Sequence, residues 1–136
     1  MFSASRALQA SIYETLINDA GVLAALGGAR IYDHVPRGAA YPYVTFGQST
    51  VRDWSTGGEE GDEHVITLHV WSLAAGRNQV HDVIGAMRAA LRDRDLPLAG
   101  HRLVNLRHEL SEARREADGE RFHGVVRLRA VTEPLG

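Results

Sequence analysis

Apolar side chains at Leu8, Ile12, Leu16 and Ala20 recur every fourth residue, with Ile17 widening the stripe. That spacing predicts an amphipathic helix, capped by Ser3 or Ser5 and stopped at Gly21. One further turn over Val22 to Leu26, ended by Gly27-Gly28, leads into a short strand over Arg30 to Asp33. Pro36, Gly38 and Pro42 then mark a loop. The β-rich run Tyr43 to Gln48 and the alternating run Asp62 to Ser72 predict two strands, separated by a Gly- and Glu-rich tip over Asp53 to Gly61. Val80, Val83, Ile84, Met87 and Leu91 fall on one helical face, with Gln79, Asp82, Arg88 and Arg92 on the other, and predict a second helix from about Ala75 to Arg92.

Beyond Pro97 the chain reads as a long hairpin, Leu98 to Arg115 and Glu120 to Thr132, turning at Asp118-Gly119. Val104, Leu106, Leu110, Val126, Leu128 and Ala130 are all even-numbered. One shared apolar face therefore pairs even with even, which a three-residue loop (Ala117-Asp118-Gly119) satisfies and a two-residue loop does not. That register sets Glu109 opposite Arg127. The other face is expected to carry Arg107, Glu109, Ser111, Val125, Arg127 and Arg129. The predicted domain, 1–136, is α+β: a mainly antiparallel sheet of about five strands with two helices packed on one face, in the order α-β-β-β-α-β-β.

Length and composition narrow the function. A chain of 136 residues buries about two-thirds of its unfolded surface, so one domain can fold without staples. Cysteine is absent, which excludes disulfides, thiolate metal sites and thiol nucleophiles. The N-terminal residues lack the pattern of a secretory signal, and no apolar stretch reaches membrane-spanning length. All 15 cations are arginine, against 17 carboxylates. The net charge of −2 argues against tight nucleic-acid binding, though not against a channel that DNA passes through.

No catalytic constellation emerges. Of the seven histidines, His64 and His69 are five apart and His101 and His108 seven apart, which on regular strands puts each pair on opposite faces. There is no His-x-x-x-His helix pair, no Gly-x-Ser-x-Gly elbow and no P-loop ending. No metal or cofactor is expected, and no enzyme. Trp54 reads as a core plug or an exposed contact. Glu112, Arg114, Arg115, Glu116, Asp118, Glu120 and Arg121 form a mixed-charge hairpin tip, either simply solvated or part of a projecting arm that docks on a neighbour. The candidate interface residues are Arg52, Asp53, Trp54, Arg107, Glu109, Arg114, Arg115, Arg127 and Arg129.

Several segments together resemble the tail terminator (tail completion) proteins of long-tailed phages and phage-derived gene transfer agents. They are Gly28 to Gly38 (Gly-Ala-Arg-Ile-Tyr-Asp-His-Val-Pro-Arg-Gly), Tyr41-Pro42-Tyr43-Val44-Thr45, His69-Val70-Trp71-Ser72 leading into Gly76-Arg77 and a helix, Leu98 to Val104, and the Asp118-Gly119 hairpin. The resemblance implies a structural subunit of a hexameric ring that ends tail-tube polymerisation and presents a surface to the head connector. Implied partners are copies of itself, the major tail tube protein and a head-tail connector or stopper protein, with DNA passing through unbound. The implied location is the host cytoplasm during assembly, then the tail-neck junction. If Glu59, Glu60, Asp62 and Glu63 project inward, the lumen is acidic and repels DNA. Alternatives are another neck ring subunit or a small soluble α+β domain that binds a ligand or metal.

Overall fold

The computed structural model describes residues 3–135. Helix α1 (Ala4–Ile17) begins at Ser3, whose hydroxyl accepts the Arg6 N–H at 3.1 Å. It ends before Gly21, because Asp19 caps a separate helix α2 (Ala20–Leu26) by accepting the Val22 N–H at 3.0 Å. Fourfold spacing runs on through this break, since a capping side chain leaves the spacing of apolar residues untouched. Gly27, at φ +80°, closes α2, and the Gly27 and Gly28 N–H groups both donate to the Leu23 carbonyl.

The remaining elements are β1 (Ile31–Tyr32), β2 (Tyr43–Asp53), β3 (Asp62–Ser72), α3 (Asn78–Leu91), β4 (His101–Arg115) and β5 (Phe122–Pro134). Three helices thus replace the expected two, and the order is α-α-β-β-β-α-β-β. The five-stranded sheet runs β1-β2-β3-β5-β4, antiparallel except for the short parallel β1–β2 pair. A bulge between Phe46 and Ser49 lets β2 continue past the expected Gln48 to Asp53.

All three helices pack on one face. Leu8, Ile12 and Leu16 of α1, Val22 and Leu26 of α2, and Val80, Val83, Ile84 and Met87 of α3 share one core with Ile66, Leu68 and Val70 of β3 and Val126, Leu128 and Ala130 of β5. Pairing of β3 with β5 is unbroken from Asp62↔Thr132 to Ser72↔Phe122. The odd-numbered residues of both strands therefore share the opposite face, which none of the helices covers.

The last hairpin departs from expectation. Arg115 pairs with Phe122, and the Glu116 N–H donates to the Arg121 carbonyl at 2.9 Å, so four residues, Ala117 to Glu120, make the connection. Asp118 Oδ1 selects this turn by accepting the N–H groups of Glu120 and Arg121 at 2.9 and 3.0 Å, with Gly119 at φ +75°. Odd consequently faces even near the tip. Bulges between His108 and Leu110 and between Leu103 and Asn105 then shift the register twice.

Even-with-even pairing survives only around Leu106↔Ala130 and His108↔Leu128. Leu110, not Glu109, stands opposite Arg127; Ser111, opposite Val126, turns to the helix side. Val104 and Leu110 are exposed rather than part of the apolar face. His101 and His108 both oppose even-numbered residues of β5 and so share a side, contrary to expectation. The hairpin forms no projecting arm either, because Ser72, the last residue of β3, already pairs with Phe122 and only the turn extends further.

Candidate interaction surface

The helix-free face of the sheet gathers most of the singled-out residues, in two clusters, each around one buried side chain (His123 and Glu63), and one unbalanced patch. At the end nearest the β4–β5 turn, antiparallel pairing places Trp71 beside His123 and His69 beside Val125. The Trp71 indole and His123 imidazole stack with centroids 4.0 Å apart and planes 8° from parallel. His123 Nδ1 lies 2.6 Å from Glu116 Oε1, and its Nε2 lies 2.7 Å from His69 Nδ1. A carboxylate only accepts, so the neutral His123 ring donates from Nδ1 to Glu116 and accepts at Nε2 the hydrogen bond donated by His69 Nδ1–H. Gly47, in the β2 bulge, leaves the space that the His69 ring occupies, since a Cβ there would collide with it.

Burial pushes both imidazoles below the ordinary histidine range. For His69 the neighbouring His123 and Arg114 add to this; for His123 the Glu116 carboxylate opposes it without reversing it. Above the stack, the Arg121 guanidinium lies 5.1 Å from the Trp71 ring and donates to Asp118 Oδ2 at 2.7 Å. Asp118, held by the Arg121 and Glu120 N–H groups and the Arg121 side chain, is lowered to about 2.

At the other end, Glu63 is 4% exposed and joins two strands. Its Oε1 accepts from Arg52 Nε at 2.6 Å, and its Oε2 accepts from Arg129 Nε at 2.7 Å and from a second nitrogen of the same guanidinium. Burial pushes the Glu63 carboxyl up, but the hydrogen bonds and charges of Arg129 and Arg52 outweigh it and hold the group below the usual range. The Arg129 guanidinium also lies 5.2 Å from the Trp54 ring. Trp54 is 45% exposed, so it is a surface contact and not a core plug.

Between these clusters, Arg107 stands directly across the ladder from Arg129, and Arg127 opposite Leu110. Among the described residues neither Arg107 nor Arg127 has an ion pair or side-chain hydrogen bond. Glu109, in the bulge, lines a depression with Arg52, Glu63 and Arg129. Arg114 is within 3.6 and 3.7 Å of Glu112 and Glu116. Arg115 donates to the Gly119 carbonyl at 3.2 and 3.0 Å, and Asp53 accepts the Ser55 N–H at 3.0 Å, so both serve their turns.

The four expected lumen acids divide. Glu63 is neutralised within the sheet and Asp62 is half-buried, whereas Glu59 and Glu60 stand exposed on the β2–β3 tip. That tip is closed by Trp54 N–H to Gly61 O at 2.8 Å and by reciprocal bonds between Thr56 and Glu59 at 2.9 and 2.7 Å. Reading the sequence missed the His69–Trp71–His123–Glu116 cluster. Its signal was the odd-numbered polar and aromatic residues of β3 and β5, legible only with the β3–β5 register in hand.

No group of three His, Asp or Glu side chains among the described residues is placed to hold a metal ion. No helix among them is long and apolar enough to cross a membrane.

No curated protein matches the chain. Its sequence matches the family described as "Tail completion protein gp17" over residues 10–133. A chain of the solved structure titled "Virion of native gene transfer agent (GTA) particle" is 32% identical, the match covering 98% of this chain and 99% of that one with a TM-score of 0.89. The chain in "Structure of bacteriophage SPP1 gp17 protein" shares the fold, at 23% identity and a TM-score of 0.61, over 98% of this chain and 91% of that one. The family match over residues 10–133 and the particle chain that aligns with nearly all of this one lead to one conclusion: the chain belongs to the tail completion protein gp17 family, whose members are structural proteins and not enzymes.

Proposed function

We propose that the protein caps the tail tube of a phage-like particle as a ring of six copies. In that place it ends tube polymerisation and offers the attachment surface for the head connector or stopper protein, while DNA passes through without specific binding. It is made in the host cytoplasm and ends at the tail-neck junction. The observation that carries this reading is the end-to-end similarity to a chain of a gene transfer agent particle.

Physical features support it. A ring that closes head to tail needs two different complementary patches on each subunit. The sheet offers two dissimilar free borders: the outer edge of β4, and the part of β2 beyond Thr45, since β1 pairs only with Val44 and Thr45. Bulges and the charges of Arg102, Arg107, Glu112 and Arg114 blunt the β4 edge. Such a subunit stays single until a tube end gathers its neighbours.

Deleting the gene from its producer tests the reading. Overlong or headless tails are expected; tails of normal length joined to filled heads overturn it.

A further inference from the structure

We infer that Glu59 and Glu60 of one copy dock on Arg107 and Arg127 of the next. This inference rests on the ring reading and names the contact that closes it. Its starting point is an unfavourable local arrangement. Arg107 and Arg129 face each other directly across the β4–β5 ladder, and like charges so placed destabilise a sheet. Glu63 relieves Arg129, and it also serves Arg52. Arg107 and Arg127 keep their charge, with Glu109 in the bulge as the other carboxylate on this stretch of the face. Arg114 is matched separately by Glu112 and Glu116. Four guanidinium groups, Arg52, Arg107, Arg127 and Arg129, thus stand against two carboxylates, Glu63 and Glu109. With Arg114, Glu112 and Glu116 included the face carries one positive charge in excess, and Arg107 and Arg127 are the two of these arginines without an ion pair among the described residues.

Among the exposed carboxylates of the described residues that have no ion pair, Glu59 and Glu60 stand side by side, on the hydrogen-bonded β2–β3 tip. The tip lies at the end of the sheet, and the arginines lie on its helix-free face, so one copy cannot satisfy its own patch. A heterologous contact satisfies it. Arginine binds carboxylate through two parallel N–H groups, which gives such a contact a fixed register as well as charge complementarity. Leu110, 40% exposed and opposite Arg127, supplies an apolar border that dries the pairs on assembly. The two acids are thereby assigned to the boundary between copies and not to the lumen.

Charge exchange in the producer tests this. In the deletion strain, the variant R107E/R127E and the variant E59R/E60R should each lose length control as fully as the deletion does. Co-expressing the two variants should restore normal tail length, because the tip of each then matches the face of the other and six copies alternate. The fourfold variant, carrying both exchanges in one chain, should restore it too. Restoration by co-expression cannot come from two misfolded proteins. Normal tails from either double variant alone overturn the inference while the deletion phenotype leaves the ring reading standing. Failure of both exchange arms also overturns it, and would assign the arginines to DNA or to the tube protein. A deletion with normal tails removes the ring reading itself.

Discussion

His123 lies flat on Trp71, 4.0 Å between ring centroids, although 52 positions of sequence separate them. The unbroken β3–β5 register makes the contact, and the Glu116 carboxylate behind the imidazole and the His69 ring beside it fix its orientation. Together these four side chains form a half-buried cluster, with His123 as its buried member, on the face of the sheet that carries the arginine patch.

Stability should fall as the solution is made acid. His64, His69 and His123 are all held below the ordinary value of 6.5, chiefly by burial. Their folded forms resist the proton that the unfolded chain accepts, so their contribution is complete above pH 6.5 and is lost as pH falls through the lowered values. Around His123, Glu116 and Glu112 pull upward and Arg114 pushes downward. Thermal midpoints measured from pH 7 to pH 5 should decline. In H123F, which keeps the stack and cannot take a proton, the decline should be shallower. An unchanged slope in that variant contradicts the assignment.

Removing the charge of Glu63 should destabilise the sheet by more than an ordinary surface substitution does. In E63Q the Arg52 and Arg129 guanidinium groups lose their shared counter-charge, and Arg129 is left facing Arg107. The thermal midpoint at pH 7 should drop, and adding R107Q should recover part of the loss. Recovery tests the like-charge argument directly; if R107Q lowers the E63Q protein further, that argument is wrong.

Gly124 should not tolerate a methyl group. A Cβ there would meet Val80 Cγ1 at 2.5 Å and Ile84 Cδ1 at 3.1 Å on α3, and Val70 Cβ at 3.2 Å on β3. Overpacking of this kind costs about 1–3 kcal/mol. Denaturant unfolding should show G124A weakened by that order, with V80A and G124A together losing less than the sum of the two.

Much of this architecture was legible in the residues. Alternation along Asp62 to Ser72 gave β3 its full length, and the stripe from Val80 to Leu91 gave α3. Both are regular elements whose period survives folding. The bulges at Val104 and Glu109 were not legible, because a bulge changes the parity of a strand without any required residue type, and Val104, Leu106 and Leu110, all even-numbered, hid it. Asp19 was overlooked as a cap for a related reason: Leu16 and Ala20 kept the helical spacing on both sides of it. Arg52, Arg107, Glu109, Arg127 and Arg129 stand out one by one in the sequence as interface candidates. Their convergence around Glu63, and the two that remain unmatched, follow from strand order and register, which spacing along one strand does not contain.

The most direct test of the central claim is a reconstruction of the assembled particle with the site of this chain identified in the density. Six copies in one ring, between the last ring of the tail tube and the head connector, is the predicted result. Finding the chain at the tail tip, along the tube, in the capsid or in a ring of another order would contradict it.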